Sequence, residues 1–356
     1  MKKKIVFVLP RLGGGGAQRV IATLLNNLDK EKYEIFLVLF DSKGDYQEYL
    51  SSYVKVINLN TKRLRNSIIP LFSTLYEIKP DILFSTMREI SILLISFKWL
   101  LPSKTRLICR EMNTPSESIK NFKYASFFTW FYKNYYKYAD LIICQSKYML
   151  NDLKDNFNIP EKKLIQIYNP VDSEYIINNF FGESKCPFST KSERINIVAI
   201  GRLIDQKGFD RLIDSIPQLL LKYPDANLWI LGKGNLKIEL VQQVEKLNLM
   251  KSIHFVEHQK NPFEWLRNAD LFVLPSKYEG LPNILLEALC CECPVVSLKH
   301  PGGTYEIMEL TGQKNRWVES LDWEEDWFLK PSLKIIESVN LNFGVKKIIQ
   351  KYENVL

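Results

Sequence analysis

Three short stretches of this sequence bring together residue types that could do chemistry. The most specific is Tyr278-Glu279-Gly280-Leu281-Pro282-Asn283-Ile284-Leu285-Leu286-Glu287-Ala288, with seven residues between its two carboxylates. Glu279 falls in a turn, Pro282 suits the first turn of a helix, and Glu287 then stands about one turn in. The N–H groups of Gly280 and Leu281 are placed to face an anion. A capping acid and a solvated helix residue would explain the two glutamates without a ligand. Glu287, however, sits among Ile284, Leu285, Leu286, Ala288 and Leu289. A carboxylate in so apolar a helix usually has a bound partner. The second stretch, Gly201-Arg202-Leu203-Ile204-Asp205-Gln206-Lys207-Gly208, puts two cations on one loop. They suit a diphosphate, with arginine as a planar fork and lysine as a point charge, although such pairs are usually just solvated. The third is Gly13-Gly14-Gly15-Gly16, where the backbone can approach a ligand closely. It is neither a Walker A motif, because no Gly-Lys-Ser/Thr follows, nor Gly-x-Gly-x-x-Gly, because position 18 is Gln.

Each stretch directly follows a predicted strand. Apolar runs rich in Ile, Val, Leu and Phe predict strands at 5–9, 35–40, 54–59, 82–85, 107–110, 141–145 and 164–168. Helical spacing between them, as at 17–28, 68–78 and 147–156, predicts an α/β domain with a mostly parallel sheet. The pattern pauses at 173–194, where linker composition prevails, and restarts with strands at 195–200, 227–231, 253–256, 271–275 and 295–298. Helices fit at 209–222, 236–248, 262–268 and 283–289. The expectation is two doubly wound domains, 1–172 and 195–356, with a linker at 173–194 and a tail able to pack back on the first domain. Trp317, Trp323 and Trp327 stand in an acidic part of that tail that the pattern does not place. Open α/β sheets bind ligands at the carboxyl ends of their strands, which is where all three stretches fall.

Composition narrows the function classes. Hydrophobic residues at 46% and charged residues at 25% exclude disorder and fibrous repeats. Six cysteines are too few and too irregular for a disulfide framework, which favours a reducing cytoplasmic setting. Lys2-Lys3-Lys4 and the apolar run after it imitate a signal peptide, but the run stops at Pro10-Arg11 without a cleavage site. The run at 90–101 is broken by Lys98 and is too short to span a bilayer, so the chain reads as soluble. Residues 1–172 hold 26 Lys and Arg against 16 Asp and Glu, and the remainder 22 against 24. A basic half suggests an anionic partner: a membrane surface, a phosphorylated lipid or a nucleic acid. Segment 119–138 holds ten aromatic residues and Lys120, Lys123, Lys133 and Lys137. It is either buried core or an interfacial helix on an anionic membrane. His254, His258 and His300 lack zinc-ligand spacing, Cys290, Cys291 and Cys293 read as packing residues, and no metal is expected.

Glu-Gly-x-Pro-Asn-x-x-x-Glu-Ala at 279–288, preceded by Asn-Ala-Asp-Leu-Phe-Val-Leu-Pro-Ser at 268–276, resembles the signature of the retaining glycosyltransferases of family 4. So do Gly-Arg-Leu-x-x-x-Lys-Gly at 201–208, Gly-Gly-Ala-Gln-Arg at 15–19 and Asn-Pro-Val-Asp at 169–172, in order along roughly residues 4–310. The resemblance implies a GT-B architecture: two Rossmann-like doubly wound domains facing across a cleft, the first for the acceptor and the second for a nucleotide-sugar. By the same resemblance, Arg202 and Lys207 hold the donor diphosphate, with the Lys207 ammonium facing solvent in the cleft. Glu287 binds the ribose hydroxyls and Glu279 the donor sugar. Gly280 and Leu281 add backbone contacts, Asn283 joins the donor site, and Gly14, Gly15 and Gly16, also donor-binding, line the cleft near the donor and acceptor. Arg202, Lys207 and Glu279 are the catalytic candidates. Loop 257–261 is a candidate frame for the nucleotide base. The absence of an Asp-x-Asp motif argues against a metal-bound donor.

Two departures stand out. Met112 occupies the region where many members carry a histidine, so no catalytic histidine is assigned, and the family pattern is lost beyond Gly312. That loss suggests that the Trp-rich tail is a specialised acceptor or interdomain element. The implied activity is transfer of a hexose or N-acetylhexosamine from a UDP-sugar to a lipid-linked, undecaprenyl-diphosphate type saccharide in bacterial surface polysaccharide synthesis. The expected location is the inner face of the cytoplasmic membrane, with no cofactor and no nucleic acid. A nucleotide-sugar 2-epimerase and a non-catalytic sugar-nucleotide-binding subunit are the alternatives.

Overall fold

The computed structural model describes residues 2–13, 15–41, 44, 47–61, 63–120, 122–180, 186–188 and 194–356. The chain divides into two compact units, Met1–Pro170 with Val345–Leu356, and Val171–Gly344. In the first unit β1 (Lys3–Leu9), β2 (Tyr33–Leu39), β3 (Lys55–Asn58), β4 (Ile82–Ser85), β5 (Arg106–Arg110), β6 (Leu141–Cys144) and β7 (Leu164–Gln166) form a parallel sheet. Its order is β3-β2-β1-β4-β5-β6-β7. Val6 and Val8 point to one face, where they join Leu83, Leu107 and Ile142 in a helix-covered core. Ile5, Phe7 and Leu9 point the other way and are just as buried. Burial on both faces is why these strands read as continuous apolar runs. All seven expected strands of this sheet are present, with ends shifted by at most two residues.

The second sheet is built from β8 (Asn196–Ile200), β9 (Asn227–Leu231), β10 (Ile253–Val256), β11 (Leu271–Leu274), β12 (Val295–Leu298) and β13 (Trp317–Val318). Its order is β10-β9-β8-β11-β12-β13, again parallel. Both sheets wind outward from their first strand and then return beside it. The reversal falls between β1 and β4 in the first and between β8 and β11 in the second, and such reversals open the crevices in which doubly wound sheets hold ligands.

Three expectations need correction. The segment expected as linker opens with a helix, Ser173–Asn178, capped by Asp172, whose carboxylate accepts from Tyr175 N–H at 2.9 Å. That helix belongs to the second unit and is tied to it by Ser173 Oγ donating to Asn340 Oδ1 at 2.8 Å. The rest of the expected linker lies partly outside the described residues, at 181–185 and 189–193. The Trp-rich tail is core rather than an acceptor or interdomain element. Trp323 and Trp327 are fully buried in the second unit's hydrophobic cluster, and Trp323 Nε1 donates to the Ser215 carbonyl at 2.9 Å. Trp317 forms the unexpected edge strand β13, its ring 4.8 Å from that of Tyr305. After this, residues 345–356 rejoin the first unit. Tyr352 OH accepts from Arg110 Nε at 3.0 Å, and Glu353 pairs with Lys32 at 2.9 Å.

The third correction concerns the aromatic segment, which is neither wholly core nor one interfacial helix. It breaks into Pro115–Lys120, Ala125–Asn134 and a short turn at Tyr136–Tyr138. Phe131, Tyr132 and Tyr136 point inward. The hydroxyls of Tyr132, at 2.9 Å, and of Tyr136 donate to the buried Glu111 carboxylate. Phe122, Tyr124, Phe127, Trp130, Tyr135 and Tyr138 are 40–64% exposed. Among the described residues no helix is long and apolar enough to cross a membrane.

Candidate active site

The loops at the reversal point of the second sheet carry most of the candidate residues. After β8 the chain makes a short turn at Asp205–Lys207 and passes through Gly208, whose φ of 62° is in the left-handed region. A Cβ on Gly208 would stand 2.1 Å from the Pro275 carbonyl oxygen, so glycine is what lets this loop touch the loop after β11. Further bonds lock the two loops together. Lys277 N–H donates to the Gln206 carbonyl at 2.8 Å, and Gln206 Nε2 donates to the Tyr278 carbonyl at 3.0 Å. Arg211 Nη2 donates to the carbonyls of Pro275 and Ser276 at 2.6 and 2.8 Å.

Within this frame Lys207 Nζ meets Glu279 Oε1 at 2.5 Å, and Ser276 Oγ donates to the same oxygen at 2.6 Å. The lysine side chain is 15% exposed and the glutamate 8%. The expected solvent-facing ammonium is therefore incorrect: the lysine aliphatic stem is covered and its charge is held by a buried carboxylate. Burial pushes the Glu279 pKa up, but the charge and hydrogen bond of Lys207, with that of Ser276, outweigh it and hold the group below its ordinary value. Arg202, on the same loop, is exposed, and its side chain has no hydrogen bond or ion pair among the described residues. Its charge is free of protein partners among the described residues, whereas the Lys207 charge is already engaged.

Gly280 and Leu281 lead into the helix Asn283–Cys290, with Pro282 at its cap. Glu287 is 6% exposed, so the reading of it as a solvated helix residue does not hold. The Gly280 carbonyl accepts from Gly303 N–H at 2.8 Å, which ties this turn to the loop after β12. In the first unit, Gly15 and Gly16 follow β1, and Gly16 opens the helix Gly16–Asn27. Gly14 lies outside the described residues. Loop 257–261 follows β10, where Glu257 pairs with Lys237 at 2.5 Å. Among the described residues no group of three or more His, Cys, Asp or Glu could hold a metal.

Sequence reasoning passed over Ser276, Gln206, Arg211 and the loop 300–303. Ser276 was within reach, since it ends the Pro-Ser pair just before the first glutamate. The other contacts join residues more than sixty positions apart in some cases, such as Arg211 with Pro275, and no local pattern announces them.

Comparison with known proteins agrees with this architecture. The family model for Glycosyltransferase Family 4 matches residues 14–175, and that for Glycosyl transferases group 1 matches residues 183–325. An uncharacterized glycosyltransferase of Methanocaldococcus jannaschii is 32% identical over 80% of this chain and 68% of its own length. A Campylobacter jejuni relative, N-acetylgalactosamine-N,N'-diacetylbacillosaminyl-diphospho-undecaprenol 4-alpha-N-acetylgalactosaminyltransferase, is 31% identical over 86% of this chain and 83% of its own. Among solved structures, Anabaena Alr3699/HepE in complex with UDP-glucose superposes with a TM-score of 0.77 at 17% identity, covering 99% of this chain and 98% of that one. The fold is thus GT-B, and the chain belongs to the glycosyltransferases of family 4.

Proposed function

We propose that this glycosyltransferase moves a hexose or N-acetylhexosamine from a UDP-sugar to a lipid-linked saccharide with retention of configuration, in the assembly of a bacterial surface polysaccharide. The carrying observation is the cluster at the β8/β11 reversal: one loop carries an exposed Arg202, with no side-chain partner among the described residues, and a largely covered Lys207 paired with buried Glu279 and Ser276, and the next helix carries buried Glu287. Arg202 and Lys207 would neutralise the departing diphosphate. Glu287 would accept from the ribose hydroxyls, and Glu279 from the donor sugar. Gly280, Leu281 and Asn283 would complete the donor site, and loop 257–261 would frame the base. The first unit would serve the acceptor, with Gly14, Gly15 and Gly16 near both donor and acceptor. In the front-face reaction that fits this set, the leaving phosphate oxygen takes the proton of the attacking hydroxyl. The undecaprenyl-linked substrate named for the Campylobacter relative and the UDP-glucose of the Anabaena complex support the choice of acceptor and donor.

An acceptor on a lipid calls for a membrane surface, and the exposed aromatic ridge of the first unit suits one. Its rings run in contact from Phe127 to Trp130 (6.2 Å), on to Tyr135 (5.0 Å) and Tyr138 (6.1 Å). Lys123 and Lys137 lie over Tyr124 and Tyr138, each 5.8 Å from the ring centre. Aromatic bodies with polar edges, flanked by lysines, fit the headgroup layer of an anionic leaflet.

The activity is tested by incubating the protein with a panel of UDP-sugars, with and without an undecaprenyl-diphosphate saccharide, and following the anomeric configuration by NMR. Transfer with retention, dependent on the acceptor, is the expected result. Interconversion of the UDP-sugar without acceptor would replace this reading with the 2-epimerase one.

A further inference from the structure

The loop after β12 carries a histidine to which neither the motifs nor the family resemblance gives a role. His300 is 7% exposed. Its Nδ1 lies 3.0 Å from the Pro301 carbonyl oxygen, and its Nε2 lies 3.0 Å from Oγ1 of Thr304, the first residue of the helix Thr304–Leu310. A carbonyl only accepts, so Nδ1 carries the ring proton, and Nε2 of the neutral ring accepts from the threonine hydroxyl. Burial pushes the imidazole pKa down against the charge of Glu279 and the bond to the Pro301 carbonyl, which both pull it up, and Lys207 and Arg211 add to the fall. The ring therefore stands neutral as a strut between the start of a helix and one carbonyl.

That carbonyl is shared. Pro301 O also accepts from Glu279 N–H at 3.0 Å, and Gly303 N–H returns a bond to the Gly280 carbonyl at 2.8 Å. Between them Gly302, with φ 131°, lies so close that a Cβ would stand 2.1 Å from the Glu279 carbonyl oxygen. The backbone that carries Glu279 is thus clamped by two bonds of opposite sense, and one of them ends on the acceptor that His300 orients.

We propose that His300 is a positioning residue of the donor site: its Nδ1–H holds the Pro301 carbonyl where that carbonyl accepts the Glu279 N–H, and so fixes the Glu279 carboxylate. The inference rests on the reading that Glu279 meets the sugar of the intact donor. His300 touches no reacting atom; it acts through the backbone of Glu279.

Side-chain amides separate its two contacts. The amide nitrogen of asparagine reaches the place of Nδ1, and that of glutamine the place of Nε2. His300→Ala, His300→Asn, His300→Gln and Glu279→Gln are compared with wild type in calorimetric binding of UDP and in turnover. The turnover substrate is whichever of UDP-glucose, UDP-galactose, UDP-N-acetylglucosamine and UDP-N-acetylgalactosamine the wild type uses fastest. His300→Ala and His300→Gln should lower kcat by about 10- to 100-fold, the cost of a small misplacement, with UDP affinity held within about twofold. His300→Asn should recover most of the loss. Recovery by Gln as full as by Asn, or wild-type turnover in all three, would overturn the inference. So would a parallel loss of UDP affinity and melting temperature that Asn does not repair, since that is the behaviour of an ordinary core residue. Wild-type turnover by Glu279→Gln would instead refute the donor-site reading of Glu279, whatever the His300 variants do.

Discussion

Replacing Lys207 with alanine should first of all destabilise the second unit. The ammonium and the Glu279 carboxylate are 2.5 Å apart and largely covered. At an effective dielectric constant near 20, charges so close attract by roughly 7 kcal/mol, much of which the cost of drying both groups offsets. Removing the lysine forfeits the attraction and keeps the drying cost of the carboxylate, which retains Ser276 as a donor. Losses of about 3–5 kcal/mol are usual for a buried pair broken in this way. For a cooperative unit the size of Val171–Gly344 that lowers Tm by roughly 6–20 °C. The loss should depend on pH. In the wild type the Glu279 pKa is held below its ordinary value of 4.5, so the group supports folding above about pH 4.5 and loses that effect as pH falls through its folded value. Without Lys207, burial is no longer outweighed and the pKa rises above the ordinary value. Glu279 then opposes folding at neutral pH, and the penalty fades as acid protonates it. Thermal denaturation at about pH 5, 6, 7 and 8 should show the gap between wild type and Lys207→Ala widest at pH 8 and narrowing toward pH 5. Lys207→Ala/Glu279→Gln should regain most of the loss at pH 8, because an amide carries no charge to bury. A gap of equal size at every pH, or a double variant melting no higher than Lys207→Ala, would refute this account of the pair.

Glu287→Gln should weaken UDP and UDP-sugar by the same factor, about tenfold for one charged hydrogen bond, whereas Glu279→Gln should mainly weaken the intact donor; isothermal titration with both ligands checks the division. Trp323→Ala should cost about 3–5 kcal/mol by denaturant titration, because it empties a fully buried site and removes the bond to the Ser215 carbonyl. The wild-type protein should sediment with anionic liposomes at low salt and not with neutral ones. Exchanging Lys123, Lys133 and Lys137 for Gln, or Phe127 and Trp130 for Ser, should release it without changing UDP affinity. Lys120 matters less than its position suggests, because Glu117 already holds its ammonium at 2.8 Å.

The strands were legible because burial on both faces leaves a continuous apolar run, and the site loops because they follow such runs. Elements missed are those whose stability is not local. β13 is two residues long, and only its pairing with β12 makes Trp317–Val318 a strand. Trp323 and Trp327 sit among acidic neighbours, yet their partners are on distant strands and helices. The helix Ser173–Asn178 did leave a signal, since Asp172 is a good cap, but six residues carry too little periodicity to be read. At the site, the residue types were readable while the state of Lys207 was not. Its partner is seventy-two positions away, and only the contact between two loops decides that the ammonium is largely covered and paired.

The first unit is discontinuous in the chain, closed by residues 345–356 after the whole second unit has intervened. On the ribosome, Arg110 must therefore wait for the hydroxyl of Tyr352, and Phe84 for the ring that lies 6.2 Å from it in the finished fold. At typical elongation rates of about 5–20 residues per second, the 242 positions between Arg110 and Tyr352 take on the order of 10–50 s. During that time the second unit is itself being made, up to Gly344, while the unit translated first keeps an open apolar flank. The unit begun first should thus be no earlier to finish folding. The nascent first unit is the natural client for a holding chaperone, and a protease-protection time course on chains stalled before and after residues 345–356 would show it becoming resistant only once they are added.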